Sequence, residues 1–134
     1  MAERIEAEAV VVGGGPAGLA AACCLAEAGE DVLVVDEAPR PGGQIWRHRV
    51  RGDLPGAAHG WLDRLAATST RLLAGVAVMD EDGAGGLRAE GPGTAYQIKG
   101  RKLILATGAR ELFLPFPGWT LPGVVGVGGG QALA

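Results

Sequence analysis

The 134-residue sequence predicts an α/β fold, a parallel β-sheet with helical crossovers and a small antiparallel meander inserted into it. Three observations predict it. Residues 7–12, 32–35 and 102–106 read as strands, apolar on both faces apart from the charged Glu8 and Lys102 near their starts, as strands covered by a layer on each side must be. An alanine-rich helical stretch at 16–28 separates the first two strands, which makes a right-handed βαβ unit. Between 87 and 99, two short alternating segments flank Gly91-Pro92-Gly93, a hairpin signal.

Residues 1–6 read as a short polar lead-in, and 7–12 as the first, central strand. That strand runs into Gly13-Gly14-Gly15-Pro16-Ala17-Gly18, where Gly13, Gly15 and Gly18 form G-x-G-x-x-G. In this pattern Gly13 permits a tight turn, Gly15 lets backbone approach a pyrophosphate, and Gly18 lets the helix lie close to the strand. Pro16 suits the first helical turn, and the free N–H groups and positive dipole end of the helix favour an anion there. The helix spans 16–28 with Gly29 as its C-cap, and Leu19, Ala22, Cys23 and Ala26 share the face that packs on the sheet. The second strand, 31–35, ends in Asp36, eighteen residues beyond Gly18. A carboxylate there can accept hydrogen bonds from a ribose diol.

Ala38-Pro39-Arg40-Pro41-Gly42-Gly43-Gln44 forbids regular structure, yet follows the carboxylate directly and so runs beside any nucleotide bound there. Gly42 and Gly43 allow close backbone approach, and Gln44 offers a donor and an acceptor. Residues 52–56 break the chain. Residues 57–68 form a helix with Trp61, Leu62 and Leu65 on one side, and 71–79 a third strand. After a polar glycine turn at 80–86 come the short antiparallel strands, then the strand 102–106, which leads into Thr107-Gly108-Ala109. The segment from Pro115 to Gly123 is apolar and irregular, and the chain stops at Ala134 as a helix begins, so it reads as cut off.

The bulk properties narrow the function. The length suits one domain with a real core. A net charge of −3 argues against a nucleic-acid partner, and the basic cluster Arg47-His48-Arg49-Val50-Arg51 reads as a solvated turn face. No apolar run spans a bilayer, and the acidic N-terminus is unlike a signal peptide, so a cytoplasmic location is expected. Glycine, at 24 residues, is far above the usual share, but it clusters at turns, which excludes low complexity. Cys23 and Cys24 are adjacent on a helix and point apart, which argues for packing rather than a disulfide. No metal-ligand spacing occurs, and neither His48 nor His59 has a partner at triad or ligand spacing.

These motifs together resemble the FAD domain of the two-dinucleotide-binding-domain flavoproteins, the group that includes thioredoxin reductase and glutathione reductase. The matching features, in order, are Gly13-x-Gly15-x-x-Gly18, Asp36, Gly42-Gly43-Gln44, and Ala106-Thr107-Gly108 after the meander. Two stretches, Arg40-Pro41-Gly42-Gly43-Gln44-Ile45-Trp46-Arg47 and residues 115–124, are similar to alpha subunits of opine oxidase, hydrogen cyanide synthase, and proline or hydroxyproline dehydrogenases, and to that of sarcosine oxidase.

The resemblance implies a Rossmann-like FAD/NAD(P)-binding fold, here an incomplete N-terminal segment covering 1–134. The second, NAD(P)-binding domain and the segment that returns to finish the FAD site would be absent. FAD is then the implied cofactor, with NAD(P) only through the missing domain. Gly13, Gly15, Pro16, Ala17 and Gly18 would hold the pyrophosphate, and Asp36 the adenosine ribose, with Glu37 able to substitute. Gly43 and Gln44 would sit beside the FAD, Val76 or Ala77 would meet the adenine through backbone, and Thr107 and Gly108 would close over the nucleotide. No catalytic residue is named, because the flavin supplies the electron chemistry. The function implied is the FAD-binding portion of an oxidoreductase, one component of an amino-acid or imino-acid dehydrogenase with other subunits as partners. The alternative is a non-catalytic nucleotide-binding or interaction module, so enzyme status stays open at this point.

Overall fold

In the computed structural model, described over residues 2–46 and 56–133, nine elements follow one another. They are β1 (Glu3–Val12), α1 (Pro16–Glu27), β2 (Val32–Asp36), α2 (Gly56–Ala66), β3 (Arg71–Ala74), β4 (Ala77–Glu81), β5 (Leu87–Gly91), β6 (Thr94–Leu105) and α3 (Val127–Leu133). All six strands form one sheet in the order β3-β2-β1-β6-β5-β4. The first three junctions are parallel and the last two antiparallel.

The two edge strands, β3 and β4, are joined only by Gly75 and Val76. Three peptide links allow at most about 11 Å between Ala74 and Ala77, whereas six strands laid flat would put the edges about 24 Å apart. The sheet therefore folds over on itself, and the meander β4-β5-β6 lies on one face of the parallel part. Helices α1 and α2 cover the other face.

Strand periodicity divides the core accordingly. Ala9, Val11, Val32 and Val34 point to the helices and pack with Leu19, Ala22, Cys23 and Leu65. Their neighbours Val10, Val12, Leu33 and Val35 point to the meander and pack with Val76, Leu87, Ala89 and Ile98. This is why residues 9–12 and 32–35 are apolar at every position: each side of the pleat meets a hydrophobic layer. Helix α1 buries Gly18, Leu19, Ala22 and Cys23, with Ala26 partly buried. It is clamped to α2 by Glu27, which accepts two hydrogen bonds from Arg64, and the Arg64 guanidinium lies 4.5 Å from the centroid of the Trp61 ring.

Several expectations change. The polar lead-in is strand: β1 starts at Glu3, and Glu3 to Ala7 pair with Tyr96 to Gly100. Charged residues alternating with Ile5 and Ala7 mark the half-exposed end of a strand beyond the helical layer. The expected single strand over 71–79 is two strands, because Gly75, at φ 74°, breaks the run and sends each half to a different edge. Conversely, the last expected pair of strands is one, β6, since Gly100 and Arg101 continue the extended ladder. Its end is not the buried strand expected. Beyond the meander β6 pairs only with β1, and Leu103 and Leu105 are 49% and 70% exposed. The helix expected at 57–68 spans Gly56–Ala66. The basic cluster 47–51, His48 with it, and residues 52–55 of the break expected at 52–56 lie outside the described residues, while Gly56 opens α2.

Candidate nucleotide site

The C-terminal ends of the parallel strands bring most of the expected residues together. Gly13, at φ 108°, donates its N–H to Val35 O at 2.8 Å, while Ala106 N–H bonds Val12 O at 2.8 Å. The tips of β2, β1 and β6 are thus pinned side by side. The turn is close-packed from within. A Cβ on Gly13 would lie 2.3 Å from Ala106 O, and one on Gly18 would lie 1.8 Å from Gly13 O. Both glycines are fixed by the protein itself.

Gly15 differs. Its backbone is ordinary (φ −75°, ψ −176°), and an added Cβ would meet only Gly43 Cα, at a normal 3.8 Å. Among the described residues no contact demands glycine here, and apart from Gly43 Cα nothing lies within 4 Å of that Cβ. Gly15 is the N-cap of α1 without a side-chain cap, and Pro16 follows it. Leu19 N–H takes the Gly15 carbonyl, so the N–H groups of Ala17 and Gly18 have no acceptor within the helix and face the helix start.

Asp36 is buried at the tip of β2, 8% exposed. Its Oδ2 accepts the N–H of Gly14, and its Oδ1 accepts that of Ala38 at 2.7 Å. The carboxylate therefore holds the turn as well as ending the strand. Glu37 beside it is exposed and reached by Arg110, Nη2 to Oε1 at 3.4 Å. Gly42 donates to Gly14 O at 2.7 Å, which lays the 38–46 loop against the turn and brings Gly43, at φ 58°, opposite Gly15. Gln44 is exposed on the same loop.

Val76 lies beside Asp36, but its N–H donates to Asp36 O at 2.9 Å and its side chain is buried. Any backbone contact from Val76 to a nucleotide falls to its carbonyl. Ala77 lies in the β4–β5 ladder opposite Glu90. Thr107 and Gly108 are exposed just past the end of β6, with Gly108 at φ 72°.

Three residues escaped the sequence reading. Gly14 is as constrained as its neighbours, since a Cβ there would lie 2.6 Å from Asp36 Oδ2. Its signal was the glycine at a variable position of the motif. Ala38 and Arg110 carry no sequence signal of their own; the folded chain supplies their contacts. Two surface concavities lie away from this turn. One of about 360 Å³ sits by Glu6, Glu8, Asp31 and Arg101 at the opposite end of the sheet, and one of about 300 Å³ lies along the meander. Among the described residues, no cluster of His, Cys, Asp and Glu could hold a metal, and no helix is long and apolar enough to cross a membrane.

Cys23 is buried, its Sγ donating to Trp61 O at 3.6 Å, and burial pushes its thiol pKa up; Cys24 is exposed. Both thiols are free, as expected, but the packing role expected of the pair falls to Cys23 alone, because Cys24 points off the buried face of α1.

A strand, a glycine turn and a helix, with an acid at the next strand tip, define a Rossmann-like dinucleotide-binding domain. Comparison with known proteins agrees. The sequence profile of the family described as "Pyridine nucleotide-disulphide oxidoreductase" matches residues 7–130, and the chain belongs to that family. It is 41% identical to an opine oxidase subunit of Rhizobium meliloti, over 94% of this chain and 30% of the relative. It is 38% identical to hydrogen cyanide synthase subunit HcnB of Pseudomonas aeruginosa, over 91% of this chain and 29% of the relative. The chain thus spans about a third of the length of these relatives. Among solved structures, L-proline dehydrogenase from P. horikoshii superposes with a TM-score of 0.68 at 21% identity, covering 85% of this chain and 25% of that one. A thioredoxin reductase from Gloeobacter violaceus gives a TM-score of 0.57 at 24% identity, covering 87% and 41%. These superpositions establish the fold.

Proposed function

We propose that this chain is the FAD-binding portion of a flavoprotein oxidoreductase, one component of an amino-acid or imino-acid dehydrogenase of the opine, proline or hydroxyproline type. The observation that carries the reading is Gly15. Gly13, Gly14 and Gly18 are glycines for reasons internal to the fold, whereas Gly15 opens onto space that a side chain would fill. A pyrophosphate seated there supplies the missing reason. It would meet the N–H groups of Ala17 and Gly18 and the positive end of α1. The adenosine ribose would then lie at Asp36 and Glu37, with Gly43, Gln44, Thr107 and Gly108 around the nucleotide and Val76 and Ala77 towards the adenine. Bound there, FAD would supply the redox chemistry; these residues bind and orient it.

Likeness to two oxidase and synthase subunits favours this reading over a non-catalytic interaction module and points to other subunits as partners. The family name favours an oxidoreductase. Cytoplasmic placement is part of the same proposal. The test is nuclear magnetic resonance on the labelled chain titrated with FAD and with ADP. Saturable shifts centred on the amides of Gly13 to Gly18 are expected, lost in Gly15→Val. Shifts scattered elsewhere, or none at millimolar ligand, would overturn the assignment.

A further inference from the structure

We propose that Arg110 is a ligand-binding residue whose guanidinium leaves Glu37 for the pyrophosphate of a dinucleotide seated on the glycine turn. The inference rests on the nucleotide reading above and adds to it a residue that the motifs do not contain.

The turn lacks a cation of its own. From Ile5 to Pro39 the sequence has no Lys or Arg, so the C-terminal end of β1, the turn, α1 and β2 offer a phosphate only backbone N–H groups and the helix dipole. A pyrophosphate is doubly charged, and the strand tips carry two carboxylates, Asp36 and Glu37. Arg40 stands exposed on the 38–46 loop and makes no bond to the turn, whereas the topology brings a second cation, Arg110, to a carboxylate beside the turn. In the order β2-β1-β6, Glu37 follows the tip of β2 and Arg110 stands five residues beyond Leu105, the end of β6. Strand β1, with the glycine turn at its end, lies between them. The ion pair therefore reaches across the turn, over two strand spacings or about 10 Å.

The pair is built to let go. Its single contact is long, at 3.4 Å, and the side chains are 84% and 68% exposed. Exposed pairs of this kind contribute little. A pyrophosphate offers the guanidinium two oxygens in the fork geometry it prefers. The exchange also frees Glu37. Each oxygen of Asp36 already accepts a backbone N–H, from Gly14 and Ala38. A released Glu37 adds an unburdened acceptor for a ribose hydroxyl beside it.

The experiment uses the full 134-residue chain, titrated with ADP and with adenosine at low and moderate salt. Arg110→Gln should weaken ADP binding about tenfold, in the range of a lost charge-assisted hydrogen bond. It should flatten the salt dependence, leave adenosine binding undiminished or slightly tighter because Glu37 is freed, and leave the melting temperature unmoved because the side chain is exposed. Arg110→Lys should restore part of the loss. Unchanged ADP affinity and salt dependence in Arg110→Gln would overturn the proposal, and so would an equal loss for adenosine. Wild-type chain that binds neither ADP nor FAD would overturn the nucleotide reading itself, and this proposal with it.

Discussion

The carboxylate of Asp36 grips the backbone N–H of Gly14 through one oxygen and that of Ala38 through the other, so β2 ends by bracing the turn that ends β1. Both donors lie at buried or half-buried positions. Removing the acceptor leaves them without it, which costs about 1–3 kcal/mol. Asp36→Ala is expected to lower the unfolding free energy by that amount in a urea titration. It should also weaken FAD binding about tenfold to a hundredfold, since the turn loses its brace and the ribose an acceptor. An unchanged urea midpoint would show that the brace contributes nothing.

Gly15 and Gly18 separate folding from binding. Gly18→Val would drive its Cβ into the Gly13 carbonyl, 1.8 Å away, and should leave the chain unfolded or aggregated. Gly15→Val meets no such obstacle and should fold with native circular dichroism, yet lose FAD and ADP. Equal damage from both substitutions would remove the special status of Gly15.

The two cysteines should differ in reactivity. Iodoacetamide at neutral pH is expected to label Cys24 alone in the native chain, because Cys23 is buried and its thiol pKa is raised. Denaturation should bring the count to two, read by mass spectrometry. Replacing both by Ser in a flavin-loaded protein should leave flavin reduction rates nearly intact.

Glu27 has its pKa lowered by its hydrogen bonds from Arg64, and Asp82 by backbone N–H groups of Ala84 and Gly86. A carboxyl group with a depressed folded pKa stabilises the protein above its unfolded pKa. That contribution is lost as pH falls through the folded value. Thermal stability should therefore decline below about pH 4, and Glu27→Gln should make the acid limb of that profile shallower. A profile identical to wild type would mean the clamp between α1 and α2 adds no pH dependence.

Leu103, Leu105, Leu112, Phe113, Phe116 and Trp119 are all at least 41% exposed. Apolar exposure on this scale marks a surface that another layer or chain covers, or an aggregation risk. Purified alone, the chain is expected to self-associate in sedimentation velocity and to hold much less than one FAD per chain. A monodisperse monomer with stoichiometric flavin would contradict this.

The sequence by itself determined the elements whose cause is local. Continuous apolar runs at 9–12 and 32–35 can only be strands covered on both faces, and Gly13, Gly15 and Gly18 between strand and helix announce a phosphate turn. Asp36 was legible by its distance from that turn. The tertiary structure alone decided the rest. The run 71–79 has one hydrophobic pattern, and only the packing of Val76 against Val10 and Val35 on the far face shows that Gly75 splits it between two edges. Residues 3–6 became strand because β6 offered them a ladder ninety residues away. The binding of Asp36 to Gly14, and the reach of Arg110 to Glu37, arise because β2, β1 and β6 are neighbours. Pairing order is set by long-range burial, and no local spacing encodes it.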